Sequence, residues 1–136
     1  MPPLTDLFEE FDFLEGDDRI AFLIDLGRQL APMPAALKTE ATLVRGCSAQ
    51  VWVYPTVEHG RMHFLADSNA AITKGLVALV IAAVEGRAPD EVAAMNIPAA
   101  LAPFQLGKHL SSNRTQGIPN MIALIQATAR RLKEAA

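Results

Sequence analysis

Apolar residues recur at helical spacing over the first thirty residues of the chain. The pattern is carried by Leu4, Leu7, Phe8 and Phe11 and then by Ile20, Leu23, Ile24 and Gly27. Spacing of three and four residues places each set on one side of a helix. It predicts a first helix that begins near residue 5 and stops at Gly16, and a second from about Asp18 to Leu30. The sequence "APMP" at 31–34 then ends the second helix, because proline lacks a backbone donor and clashes inside a helix.

The pattern changes to short β-like runs in the middle of the chain. The runs are "ATLV" at 41–44, "QVWVYPTV" at 50–57 and "RMHFLA" at 61–66. Turn residues separate them, first Arg45 and Gly46 and then "EHG". Three strands joined by short turns are typical of a small antiparallel sheet.

The second half of the chain returns to helical patterns. "DSNAAITKGLVALVIAAVEGR" at 67–87 is apolar almost all round, which predicts a central buried helix with Gly86 just past its end. Proline-initiated short helices follow, and a last helix covers roughly 116–134. The prediction is an α+β fold: a three-stranded antiparallel sheet covered by helices, with two N-terminal helices and a C-terminal helical segment. Without linkers or repeats, we expect residues 4–134 to form a single domain.

Composition excludes several classes of function. The chain has 136 residues, of which 51% are hydrophobic and 20% charged, and its net charge is −3. This balance gives no basic footprint for nucleic acid and no polybasic patch for a membrane. The longest apolar run, residues 75–84, is too short to span a bilayer. The acidic N-terminus does not resemble a targeting segment. We therefore expect a cytoplasmic protein, and its single cysteine excludes an internal disulfide.

Cys47 is the first candidate for chemistry. A lone cysteine is most often a small buried hydrophobe. Gly46 before it favours a turn, however, and Arg45 could favour the thiolate. A thiolate in a loop can attack a disulfide or persulfide sulfur. No second thiol exists to resolve a disulfide, so an incoming sulfur would remain on Cys47 as a persulfide until another protein takes it.

Other polar residues carry weaker signals. His59, His63 and His109 do not form a metal-binding pattern, and we expect no metal and no cofactor. A cysteine hydrolase with His109 as the base stays possible. The sequence "SSNR" at 111–114 favours a helix cap, and its functional alternative is an anion or persulfide clamp through Arg114.

Lys74 and Gly75 interrupt the apolar helix. Lys74 is typical of a surface lysine whose stem is buried. Glycine inside a helix costs about 1 kcal/mol relative to alanine, which indicates close backbone packing at Gly75. We expect the Cys47 loop to be what packs there.

Three stretches in order resemble one family. "RGCSAQVWV", "DSNAAITKGLVALV" and "HLSSNRTQGIPNMI" are similar in order and spacing to the SufE-like sulfur-acceptor proteins. "DRIAFLIDLGRQLAPMP" also resembles the second helix of that family and its proline stop. The likeness extends from about residue 5 to 132. The family shares its fold with IscU-type cluster scaffolds, but those need several cysteines, so a single cysteine favours a carrier.

The resemblance implies a function. SufE-like proteins accept sulfur from a SufS-type cysteine desulfurase, stimulate that enzyme and pass the sulfur to an iron–sulfur scaffold complex. Cys47 matches the persulfide-bearing cysteine. The supporting residues would be Gly46, Gln50, Lys74, Arg114 and, more weakly, His109. The protein would act with the desulfurase, as a monomer or homodimer, rather than as an enzyme by itself.

Two alternatives stay open: a non-catalytic activator of the desulfurase, and a partner of the related Csd desulfurase. The chain also departs from the family pattern at three places. Ser48-Ala49 stand where the family has Gln-Ser, Asn69 where an acidic residue is common, and Ser112-Asn113 where a proline precedes the Ser-Arg. All three lie in loops around the expected site.

Overall fold

Helices and one β-hairpin make up the computed structural model, which describes residues 1–135 and the side chains of residues 1–134. The helices are α1 Leu4–Phe13, α2 Asp17–Arg28, α3 Ala71–Val84, α4 Pro89–Ala94, α5 Ile97–Leu101, α6 Leu106–His109, α7 Ser112–Thr115 and α8 Ile118–Ala135. The strands are β1 Val51–Glu58 and β2 Arg61–Ser68, and 3₁₀ turns cover Ala35–Leu37 and Ala102–Phe104. The predicted α+β class is confirmed.

The sheet has two strands rather than the predicted three. β1 and β2 pair antiparallel, from Val51 opposite Ser68 to Glu58 opposite Arg61. His59 and Gly60, at φ 54° and 75°, form the tight turn between them. Two successive left-handed residues match the natural twist of a hairpin.

The first predicted strand, residues 41–44, makes only an isolated bridge between Leu43 and Trp52. The Val44 N–H donates to the Val51 carbonyl at 2.8 Å, and the Val53 N–H donates to the Thr42 carbonyl at 2.9 Å. Turns confine the pairing to this short stretch. The Thr42 hydroxyl donates to the Leu37 carbonyl at 2.6 Å, which closes a turn before it, and Gly46 turns the chain away after it.

Helix α3 is the centre of the molecule, as its apolar pattern predicts. Its residues from Gly75 to Ile81, with Ala83 and Val84, are buried. It packs against α2, β2, α5 and α8. Gly86, at φ 79°, lies just past the C-cap residue Glu85, in the predicted position. The N-cap residue is Ala70, and the Ser68 hydroxyl accepts a hydrogen bond from its N–H at 3.3 Å.

Gly75 packs against α2, and the prediction that the Cys47 loop lies there is wrong. A Cβ at Gly75 would overlap the Leu23 carbonyl oxygen, and one at Gly27 would lie 2.9 Å from the Gly75 backbone nitrogen. The two helices therefore cross with their backbones almost in contact. Glycine at both positions makes this approach possible.

The last helix, α8, agrees with the range of roughly 116–134 predicted for it, and the short helix α7 precedes it. α7 covers one turn, and α8 begins three residues after it. The inward side of α8 is formed by Met121, Ile122, Ile125 and Ala129, which are buried. None of the helices within the described residues combines the length and the apolar character needed to cross a membrane.

We predict that Gly75→Ala destabilises the fold by about 1–3 kcal/mol, because overpacking at the helix crossing outweighs the helix propensity gained. Urea denaturation measures the free energy of unfolding. Gly107→Ala is the control, since nothing lies within 4 Å of a Cβ there. It should leave stability unchanged or slightly raised. Equal stability of the two variants would contradict the close crossing.

Candidate functional site

The Cys47 loop, residues 45–50, connects the bridge at Leu43 to β1. Gly46 adopts φ 82°, a conformation that L side chains rarely take. A Cβ at Gly46 would also overlap the Asn120 amide nitrogen on α8. Both backbone conformation and space therefore require glycine directly before the cysteine.

Cys47 lies against Gly117, which immediately precedes α8. A Cβ at Gly117 would overlap the Cys47 Sγ and lie 3.1 Å from its Cβ. The missing side chain at Gly117 makes room for the thiol. Cys47 is half-buried as a result and packs against the edge of the hydrophobic core.

A small cavity of about 20 Å³ adjoins the thiol. It is lined by Cys47, Ser48, Ala49, Val51, Thr73, Leu76, Val77, Asn113, Arg114, Gly117, Ile118 and Met121. A cavity needs roughly 10–15 Å³ to hold one water molecule. The space beside the thiol therefore suits one group of about that size, in mainly apolar surroundings. Val51, Leu76 and Val77 contribute apolar side chains to this lining, whereas Trp52 lies outside it.

Burial raises the pKa of the Cys47 thiol, because removal from water disfavours the thiolate. The expectation that Arg45 favours the thiolate is not met. Its guanidinium instead forms an exposed ion pair with Glu40 at 2.8 Å. Arg114 lines the cavity and is itself exposed at the surface. In this conformation Cys47 is therefore held as the neutral thiol.

Hydrogen bonds attach the loop to its neighbours. The Ser48 hydroxyl donates to the Asn113 carbonyl on α7 at 2.8 Å. The Gln50 N–H donates to Asn69 Oδ1 at 3.0 Å, and the Ser68 hydroxyl donates to the Gln50 carbonyl at 2.7 Å. Ser48, Asn69 and Asn113, which depart from the family pattern, therefore all take part in holding the loop.

Lys74 lies in a charged cluster next to the Cys47 loop. Its ammonium lies 3.3 Å from Asp67 Oδ1, and that of Lys38 lies 2.6 Å from Asp67 Oδ2. Burial acts to raise the pKa of Asp67, but hydrogen bonds from Lys38, the Ser68 N–H and Lys74 outweigh it and lower the pKa. Lys38 also lies over the Trp52 ring, 5.2 Å from its centroid. This cluster joins the end of β2 to β1 beside the loop.

His109 is placed away from the Cys47 cavity. Its ring packs edge-on against Phe11, with 5.6 Å between centroids. Burial lowers the pKa of His109, and the charges of Arg19 and Lys108 lower it further. This position gives no support to a Cys–His hydrolase. Within the described residues, no three His, Cys, Asp or Glu side chains cluster so as to hold a metal ion.

The sequence did not point to two residues of the site, Thr73 and Asn120. Asn113 and Gly117 lie in the stretch "HLSSNRTQGIPNMI" that resembles the family, but the sequence did not show that Gly117 makes room for the thiol. The contact of Asn113 is made by its backbone carbonyl, so its side chain carried no signal.

Comparisons with known proteins identify the family of this chain. The model of the SufE family, described as the Fe-S metabolism associated domain, matches residues 5–129, and the chain belongs to that family. It is 39% identical over 114 residues to the sulfur acceptor protein CsdE of Escherichia coli (strain K12), covering 82% of this chain and 78% of CsdE.

A solved structure shares the fold. It is the solution structure of a hypothetical protein from Thermus thermophilus, with a TM-score of 0.76. The similarity covers 96% of this chain and 97% of that one, at 23% sequence identity.

We predict that Gly117→Ala moves the thiol toward solvent, because the added methyl overlaps Cys47 Sγ. Alkylation by iodoacetamide, followed by intact mass measurement at about pH 7.5, should be severalfold faster than in the wild type. Gly107→Ala serves as the control and should react at the wild-type rate. An unchanged rate in Gly117→Ala would show that the contact does not restrict the thiol.

Burial of the thiol also predicts a pH dependence. The unfolded chain releases the Cys47 proton near about pH 8.5, whereas the folded chain holds it to higher pH. The stability of wild type relative to Cys47→Ala should therefore be constant below about pH 8.5 and decrease as the pH rises through the folded-state pKa. Urea denaturation of both proteins between about pH 6.5 and 10, with a reductant present, measures this difference. A difference that grows with pH would contradict the direction of the shift.

Proposed function

We propose that this chain accepts sulfur as a persulfide on Cys47 from a cysteine desulfurase and delivers it to iron–sulfur cluster assembly. The observation that carries the proposal is the placement of the only thiol. It lies in a glycine-turned loop beside a mainly apolar cavity with room for one further atom or small group. Membership of the SufE family and the likeness to a sulfur acceptor protein support the same role. We propose residues 4–134 as the unit that performs it.

The reaction is a thiol exchange. The Cys47 thiolate attacks the outer sulfur of a persulfide on the desulfurase. A new S–S bond forms at Cys47 while the original S–S bond of the donor breaks. The donor cysteine leaves as a thiolate with the electron pair, so one sulfur atom moves and no external oxidant is needed. The carrier is discharged when a scaffold thiolate attacks the outer sulfur on Cys47: the S–S bond at Cys47 breaks and Cys47 leaves as the thiolate.

In its buried position, Cys47 is poorly suited to attack a persulfide. A buried neutral thiol is a poor nucleophile, because the thiolate is the reactive form. Movement of the Cys47 loop into a docked partner would return the thiol to a more polar environment and restore its ordinary pKa. Docking and activation would then be one event, in which the partner favours the extended loop.

The supporting residues have separate roles in this proposal. Gly46 gives the loop its turn. Gln50 and Lys74 fix the base of the loop through Asn69 and Asp67. Arg114, exposed at the rim of the cavity, is placed to attract the negative charge of a persulfide or of the partner's surface. His109 would contribute only through the fold, since its ring packs against Phe11 of α1 and lies away from the cavity.

Cys47→Ser should abolish sulfur loading, because serine cannot form a persulfide. Wild type and variant are incubated with a purified cysteine desulfurase and cysteine, and intact masses are then measured. The wild type should gain the mass of one sulfur atom and lose it again on treatment with dithiothreitol. Loading of the Ser variant at the wild-type rate would disprove the proposal.

The same samples distinguish a sulfur carrier from a non-catalytic activator of the desulfurase. Desulfurase turnover is measured from alanine released in the presence of each protein. Stimulation by Cys47→Ser equal to that by wild type would favour a non-catalytic activator. Running the assay with a SufS-type and a Csd-type desulfurase in parallel identifies the preferred partner, and the likeness to CsdE makes the Csd type a full candidate.

A further inference from the structure

The hydrogen bonds of the Cys47 loop are unevenly distributed. Its base is fixed on both sides. The Val44 N–H bonds the Val51 carbonyl at 2.8 Å on one side. On the other, Gln50 is bonded through both its N–H and its carbonyl to Asn69 and Ser68. Any motion of the loop is therefore confined to the segment between these two points.

The tip of the loop, residues 46–49, is held much more weakly. Within the described part of the chain, its one hydrogen bond joins the Ser48 hydroxyl to the Asn113 carbonyl at 2.8 Å. The ion pair between Arg45 and Glu40 is exposed, and such pairs contribute little. Apolar contact of Cys47 and Ala49 with the cavity supplies the remaining attraction.

We propose that Ser48 is a positioning residue for Cys47. Its hydrogen bond to Asn113 sets the fraction of time that the thiol spends in the cavity. Breaking that one bond frees the tip while the base stays attached, and Gly46 supplies the backbone freedom for the tip to turn outward. The consequence for sulfur transfer rests on the proposed function, whereas control of thiol access does not.

The Asn113 carbonyl, which accepts the Ser48 hydrogen bond, lies beside the exposed Arg114. Asn113 and Arg114 are adjacent on the one-turn helix α7, and both line the Cys47 cavity. A partner that contacts Arg114 therefore also approaches the Asn113 carbonyl. A donor group on the partner that bonds this carbonyl would compete directly with the Ser48 hydroxyl and release the tip.

Alkylation of Cys47 by iodoacetamide at about pH 7.5 tests the proposal without any partner. Ser48→Ala should react about threefold to tenfold faster, which is the range expected from the net contribution of one hydrogen bond. Ser48→Thr keeps a hydroxyl and should stay near the wild-type rate. Ser112→Ala is the matched control, since Ser112 is exposed on α7 and its hydroxyl forms no hydrogen bond in the described chain.

Hydrogen exchange separates local release from general destabilisation. In Ser48→Ala, amides of residues 46–49 and of the α7 region should exchange faster, while the buried amides of α3 keep their wild-type protection. Faster alkylation accompanied by equal loss of protection in α3 would overturn the positioning role. So would a wild-type alkylation rate in Ser48→Ala, or fast alkylation in Ser48→Thr.

The outcomes for positioning and for sulfur transfer are independent. Unchanged alkylation in Ser48→Ala, together with sulfur loading that depends on Cys47, would reject the positioning role and leave the carrier function standing. Faster alkylation in a protein that accepts no sulfur from any desulfurase would support control of thiol access and reject the proposed function.

Discussion

The crossing of α2 and α3 at Gly27 and Gly75 is the contact on which the rest of the structure depends. It brings two helix backbones within van der Waals distance, so α3 can lie at the centre with neighbours on several sides. Thr73, Leu76 and Val77, which flank Gly75 on α3, form a wall of the Cys47 cavity. One helix crossing therefore fixes both the core and the wall against which the thiol rests.

Glycine serves the site in a second way. At Gly46 the need is a left-handed backbone, and at Gly117 it is the space that a thiol occupies. These two residues are far apart in sequence, yet both lie beside Cys47 in the fold. These two glycines give the thiol its turn and its space, the hydrogen bonds of Ser48 and Gln50 hold the loop around it, and the surroundings of the thiol stay mainly apolar.

Much of this arrangement could be predicted from the sequence. Periodicity located α1, α2, α3 and the hairpin, because each buries a face that its own residues define. The turn at Gly46 was also predictable, since glycine before a lone cysteine indicates a special backbone conformation. Family resemblance then supplied the expectation that Cys47 carries sulfur.

The errors arose where the answer depends on tertiary contacts. Residues 41–44 have strand-like composition, but turns at Thr42 and Gly46 limit their pairing to a bridge. Gly75 correctly indicated close packing, yet sequence could not show that its partner is α2. Arg45 lies near Cys47 in the loop, but its side chain reaches Glu40 instead, so desolvation alone shifts the pKa of the thiol.

The small cavity beside Cys47 limits the size of any group that the thiol can carry inside it. In the proposed sulfur carrier, a volume of about 20 Å³ would leave room beside Cys47 for one added sulfur atom, and a longer polysulfide would extend outside the cavity.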